Sequence, residues 1–180
     1  MCGERLSYTS HHLVTFMTRR LIVMRHAKSS WDSGAESDHA RPLNKRGKRD
    51  APLIAQRLAD LKWIPNLVLS SDSARTRETY SLMCQALTDV DRVEYLPAFY
   101  NNVFGALQAT LGEVPDAFST VLALGHNPDW EEAVHWLTGE SIVMTTANCA
   151  LLESSDDAWP DTVEHREKWQ LVDVLRPKEL

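Results

Sequence analysis

Leu21-Ile22-Val23-Met24-Arg25-His26-Ala27-Lys28-Ser29-Ser30-Trp31-Asp32 is the stretch on which the reading of the chain turns. Four successive apolar residues, two of them β-branched, predict a short strand buried on both faces, the pattern of a central strand in a parallel sheet. Arg25 and His26 then fall just past its carboxyl end, where open α/β sheets bind their ligands. A guanidinium fork matches two phosphate oxygens, and a neutral imidazole can attack phosphorus. A pair of this kind at this place therefore points to phosphate chemistry.

Two later stretches repeat the arrangement. Leu67-Val68-Leu69 predicts a second buried strand, and Ser70-Ser71-Asp72-Ser73-Ala74-Arg75 turns from it into a helix. The unpaired N–H groups and positive dipole end of a helix start favour an anion, and Arg75 in the first turn adds a second fixed cation. Thr120-Val121-Leu122-Ala123-Leu124 predicts another buried strand, followed by Gly125-His126-Asn127-Pro128. Asn127 suits the N-cap of the next helix, Pro128 its first position and Gly139 its end. His126 is thus expected at the same sheet edge as His26.

The remaining elements are read around these. Asn44 is expected to cap a helix that runs to about Leu61, with Ala51, Ile54, Ala55, Leu58 and Leu61 on its apolar face. Pro52 either kinks that helix or lies in the first turn of a main helix beginning near Asp50. The cations Arg41, Lys45, Arg46, Lys48 and Arg49 read as a solvated helix face rather than a docking site. Arg41 is separable from them, since it precedes the helix and lies in the loop facing the sheet edge. Val93 to Leu96 predicts a shorter strand, Asn102 to about Leu111 a helix, and Ala147 to Glu153 and Lys168 to Val174 two closing strands joined by a polar connection. His39, His135 and His165 read as structural, and Glu131 and Glu132 with His135 as a surface pair.

Length and composition bound the rest. The 180 residues, 43% hydrophobic and 24% charged, are those of one globular domain over residues 19–180. Apolar runs stay well below the ~20 residues a membrane span needs. The net charge of −6 argues against a nucleic-acid partner. Cys2, Cys84 and Cys149 are too few and scattered for a disulfide framework or a zinc site, so a reducing cytoplasm is the expected location. Residues 1–18 lack this patterning and are read as a disordered extension or one lying upstream of a natural start at Met17.

Taken in order, Arg25-His26, Arg41-Pro42-Leu43, Ser70-Ser71 through Arg75, Gly125-His126 and Thr145-Thr146 resemble the histidine phosphatase superfamily, and most of all its small SixA-type phosphohistidine phosphatases. The similarity spans about residues 19 to 175. It implies a three-layer α/β/α sandwich with a mostly parallel central sheet, the phosphoglycerate mutase-like fold. It also implies that His26 is the phosphate-accepting nucleophile and that Arg25, Arg75 and His126 hold the phosphoryl oxygens. Arg41, Ser29 and Asn127 are further candidates for substrate contact.

The residues carry a chemistry of their own. A neutral His26 would attack phosphorus while Arg25, Arg75 and a protonated His126 offset the charge of the transferring group, so that neither metal nor cofactor is needed. Three positions depart from the wider superfamily: Ala27 stands where many relatives have Gly, Asp32 where mutase-type members carry Asn, and Asn127 where the acid-phosphatase branch carries its proton-donating Asp. Proton donation is therefore unassigned, with Asp32 kept as a candidate acid. Loss of a general acid costs ~10²–10⁴ in rate for a poor leaving group. A phosphoramidate suffers less, because solvent can protonate its nitrogen. The segment from Ala98 to Phe118 is too brief for a large lid. The expected substrate is thus a phosphate-bearing partner, a phosphohistidine protein above all. A small-molecule phosphomonoesterase and a non-catalytic phosphate-binding module are the alternatives.

Overall fold

The three apolar runs become the middle of a six-stranded sheet. In the computed structural model, which describes residues 18–101, 103–156 and 158–180, the strands are β1 (Arg19–Arg25), β2 (Leu67–Ser71), β3 (Arg92–Leu96), β4 (Thr120–Gly125), β5 (Cys149–Ser154) and β6 (Gln170–Leu175). They lie in the order β3-β2-β4-β1-β5-β6. Three pairings, β3 with β2, β2 with β4 and β4 with β1, are parallel, while β5 runs against both β1 and β6. The reading of residues 1–17 lies outside the described residues.

Alternation along the strands sorts the core into two layers. Ile22, Met24, Val68, Leu122 and Leu124 face α1 (Lys45–Asp60) and α2 (Ala74–Met83), packing with Ile54, Ala55, Leu58, Tyr80 and Met83. Leu21, Val23, Leu69, Val121 and Ala123 face the other way. There they meet Phe99 of α3 (Ala98–Asn101), Leu107 of α4 (Val103–Gly112), Trp130 of α5 (Asp129–Thr138) and Trp159 of α6 (Trp159–Glu164). The result is a three-layer α/β/α sandwich with a mostly parallel sheet. Among the described residues no helix is long and apolar enough to cross a membrane.

Register is what brings the motif residues together. Arg25 pairs with Gly125 across β1 and β4, and Ser70 with Leu124 across β2 and β4. His26, His126 and Ser71 consequently leave or end their strands at one level of one edge. Two glycines let helices close on that edge. A Cβ on Gly125 would lie 2.9 Å from the Trp130 ring, whose Nε1–H donates to Met24 O at 2.8 Å. A Cβ on Gly47, in the first turn of α1, would run into the backbone of Lys28.

Local chemistry explains several boundaries and revises others. Asn44 Oδ1 accepts from Gly47 N–H at 3.0 Å, a cap worth ~1 kcal/mol. α1 runs unbroken through Pro52, which is exposed, so the main helix does not begin near Asp50. The N-cap of α5 is Pro128 rather than Asn127, whose side-chain NH₂ donates to Glu131 Oε1 at 2.6 Å and Met144 O at 2.9 Å. The polar connection after β5 contains α6, which buries Trp159 completely and sends its indole N–H to Phe118 O at 2.7 Å.

Candidate active site

His26 is held from every side at the end of β1. Its own N–H donates to Gly125 O at 3.0 Å, its carbonyl accepts from Ala147 N–H at 3.0 Å, and the next amide, Ala27 N–H, donates to Thr79 Oγ1 at 3.1 Å. Ala27 is buried and its backbone lies outside the left-handed region, so the missing glycine costs the loop no strain. The ring is 7% exposed. Nδ1 sits 2.7 Å from Ala27 O, an acceptor only, and therefore carries the proton of the neutral ring. Nε2 is left with its lone pair, facing Arg75 Nε–H at 3.2 Å.

Burial, and after it the charges of Arg75, Arg25 and Arg41, push the His26 pKa down to about 3 against the opposing pull of the Ala27 carbonyl. The imidazole is neutral throughout the physiological range. His126 lies with its ring centroid 5.0 Å from that of His26 and is also pushed to about 3, by burial, by His26 and by Arg75. This revises the expectation of a protonated His126: in the free site two adjacent buried imidazoles among arginines are both neutral. Ser71 Oγ accepts from Ser73 N–H at 3.3 Å, which leaves its own proton free for His126 Nε2 at 3.0 Å. With that proton donated, the His126 proton is on Nδ1, which is buried and has no partner among the described residues.

The cations divide by task. Arg25 donates from Nη1 to Met144 O at 2.8 Å, while its buried Nε has no partner. Arg75, 5% exposed, bridges His26 and Asp38, whose backbone oxygen lies 2.7 Å from Nη1 and carboxylate 3.1 Å from Nη2. Arg41 is fully engaged away from the histidines. It donates to Asp38 Oδ1 at 2.7 Å, Ser29 Oγ at 2.9 Å and Ser30 O at 3.3 Å, and lies over the Trp31 ring at 3.7 Å. It orders the 29–41 loop and acts on His26 through its field, with Ser29 as one of its anchors.

Asp38 is the carboxylate that the fold delivers to this site, and sequence reading missed it. Its Oδ2 accepts from Tyr100 Oη at 2.8 Å, and the Tyr100 ring stands edge-on to His126 at 5.4 Å. On its other side Tyr100 meets His39 at 4.8 Å, and His39 Nε2 pairs with Asp72 at 2.8 Å, so His39 borders the site. The Tyr100 bond and the Arg75 and Arg41 cations hold the Asp38 pKa below its usual value although burial acts the other way. Asp32, by contrast, is exposed, and its backbone is tied to Ser30 Oγ at 3.2 Å. Glu131 is no surface partner of His135: its Oε1 takes the Asn127 amide and Met144 N–H at 2.7 Å, fixing the carbonyl that holds Arg25.

A neutral imidazole whose lone pair faces a guanidinium, with Arg25 Nε and His126 Nδ1 buried nearby without partners among the described residues, can handle a phosphoryl group. Among the described residues no group of three or more His, Cys, Asp and Glu is arranged to hold a metal ion. The Histidine phosphatase superfamily (branch 1) matches residues 21–151, and the chain belongs to that superfamily. Its activity is accordingly that of a phosphatase. An uncharacterized chloroplastic protein of Arabidopsis thaliana is 40% identical over 178 residues, covering 91% of this chain and 80% of that one. An uncharacterized protein of Mycobacterium tuberculosis is 35% identical over 106 residues, 58% of this chain and 63% of that one. Among solved structures, a candidate phosphohistidine phosphatase SixA from Nakamurella multipartitia superposes with TM-score 0.77 at 26% identity, covering 89% of this chain and 96% of that one. A second, from Agrobacterium tumefaciens, gives 0.71 at 30%, covering 88% and 98%.

Proposed function

We infer that the protein dephosphorylates phosphohistidine on a protein through a phosphoenzyme formed on His26, without a metal. The observation that carries this is the fixed tautomer of His26, with Nδ1–H on Ala27 O at 2.7 Å and the Nε2 lone pair turned to Arg75. Nε2 attacks phosphorus as the phosphorus–nitrogen bond of the substrate breaks. The electron pair of that bond goes to the departing imidazole, which leaves neutral if its remote nitrogen already bears a proton. His26 becomes a phosphoimidazolium, its charge spread toward the Ala27 carbonyl, while Arg25, Arg75 and His126 Nδ1–H hold the phosphoryl oxygens. Water then attacks phosphorus, and His26 leaves as the neutral imidazole it was.

The substrate class follows from the acid that the site does not offer. Asp38 is held ionised and each of its oxygens already accepts from an arginine or tyrosine, so it has no proton for an alkoxide. A departing imidazole needs none. The names of the two similar SixA structures point the same way. The test is a series of phosphates of graded leaving-group pKa, with phosphorylation of His26 followed in single turnovers. A steep dependence with rapid turnover of phosphohistidine is expected. A shallow one, with sugar phosphates handled nearly as well, would make the protein a phosphomonoesterase, and binding without any phosphoenzyme would make it a phosphate-binding module.

A further inference from the structure

The cations within α1, Lys45, Arg46, Lys48 and Arg49, are exposed, as a solvated helix face should be, but they are not remote from the site. Asn44 N–H donates to Lys28 O at 2.9 Å, Ser30 N–H to Pro42 O at 2.9 Å, and Ser29 pairs with Leu43. The space a Gly47 side chain would need is filled by the Lys28 backbone. Lys28 is two residues past His26, so the start of α1 is fixed to the rim of the pocket. From the other side Arg46 Nη2 donates to Thr146 Oγ1 at 2.9 Å, next to Ala147, whose N–H holds the His26 carbonyl.

The charge on that rim is not cancelled locally. Arg46 and Arg49 share one carboxylate, Asp50, at 3.6 and 2.8 Å, and Lys48 takes Glu78 at 3.0 Å. Lys28 and Lys45 have no acidic partner among the described residues. Residues 41–49 contain no acid in a chain of net charge −6. Cations in the first turn also oppose the dipole of α1, so helix stability does not account for them. On the same rim Trp31 is 72% exposed, yet it is held in place on Arg41, whose guanidinium is fixed by Asp38, Ser29 and Ser30. Trp and Arg are the residue types that dominate interface energetics, and a basic rim around a pocket steers an acidic partner.

We propose that Trp31 with Lys28, Lys45, Arg46 and Arg49 forms a docking surface for an acidic protein segment that presents its phosphohistidine to His26. This rests on the phosphohistidine reading above. Trp31 supplies the apolar anchor and the lysines and arginines supply orientation and encounter rate. A free phosphate ester gains nothing from Lys45 or Arg49, so the surface separates protein substrates from small ones.

The test uses the whole chain and three phosphohistidine peptides of equal length, flanked by Glu, by Gln and by Lys, with phosphoramidate as the small probe. At low ionic strength kcat/KM is expected to fall about tenfold from the Glu to the Gln peptide and further to the Lys peptide, the differences shrinking as salt rises. In Lys45→Glu/Arg49→Glu the preference for the Glu peptide should vanish while phosphoramidate turnover stays as it was. Trp31→Ala should lower kcat/KM for all three peptides about tenfold relative to phosphoramidate. Equal turnover of the three peptides, or a double variant that loses peptide and phosphoramidate alike, overturns the docking surface and leaves the phosphatase reading standing. Failure to turn over phosphoramidate or any peptide would sink both.

Discussion

His26 and His126 each stand one residue past a parallel strand, 7% exposed, neutral, with ring centroids 5.0 Å apart. Their neighbours make them chemical opposites. The β1 loop turns a carbonyl, that of Ala27, onto Nδ1 of His26 and so leaves the Nε2 lone pair to Arg75. The β4 loop brings His126 Nε2 onto the hydroxyl of Ser71, at the end of β2, and so leaves Nδ1 buried and without a partner among the described residues. In the mechanism proposed above one imidazole is the nucleophile and the other an oxyanion donor, a difference set by which backbone or side-chain group meets the ring, not by the rings themselves.

The largest way to break the comparison is at the nucleophile. His26→Ala should abolish the acid-labile phosphoenzyme in a rapid-quench labelling experiment and lower turnover by ~10⁴-fold or more, while vanadate still binds weakly. His126→Ala removes a donor instead. It should slow phosphorylation of His26 by ~10²–10³, about 3–4 kcal/mol, yet leave a trappable phosphoenzyme. If His126→Ala lost the phosphoenzyme as completely as His26→Ala, the assignment of opposite roles would fail.

A smaller effect comes from proton linkage. Each histidine has a folded pKa of about 3 against about 6.5 when unfolded. Between those values the unfolded chain binds the extra proton, so the native state gains stability as pH rises through the window and loses it as pH falls from about 6.5. Urea unfolding at pH 7 and pH 5 should show the parent losing ~2 kcal/mol more than His126→Asn. Equal losses would mean that His126 is not held neutral.

The sequence patterns that were legible are those a local rule governs. Continuous apolar runs made β1, β2 and β4 readable, and a motif placed after each of them put Arg25, His26, Arg75 and His126 at one edge. Asp38, His39 and Tyr100 were not readable, because they come from a loop without periodicity and from a four-residue helix, and meet only through contacts such as Tyr100 Oη to Asp38, 62 residues apart. Glu131 was misread for a related reason. Helical spacing placed it near His135, but the 143–146 loop, which no local pattern predicts, folds over it and takes its Oε1. Trp159 likewise sits in a polar stretch, where its complete burial follows no periodic pattern.

The finest test of the comparison is the hydroxyl that sets the His126 tautomer. Ser71 Oγ lies 3.0 Å from His126 Nε2 and accepts from the Ser73 amide at 3.3 Å, so its own proton is free for the ring. In Ser71→Ala the nearest replacement is Ser73 Oγ, 3.5 Å from Nε2 and already 2.9 Å from Thr76 Oγ1, so the bond is lengthened and shared. The proton of His126 is then less firmly kept on Nδ1, and some molecules present a lone pair where a phosphoryl oxygen needs a donor. The cost should be that of one neutral hydrogen bond, ~1 kcal/mol, or roughly a fivefold to tenfold fall in the rate of phosphoenzyme formation. Ser71→Thr, which keeps the hydroxyl, should restore most of it. Nitrogen NMR of His126 should show the Nδ1–H form giving way to a mixture in Ser71→Ala and returning in Ser71→Thr. A Ser71→Ala protein whose His126 stays in the Nδ1–H form, or whose His26 loses its own tautomer in step, would show that the two rings are not set independently by their loops.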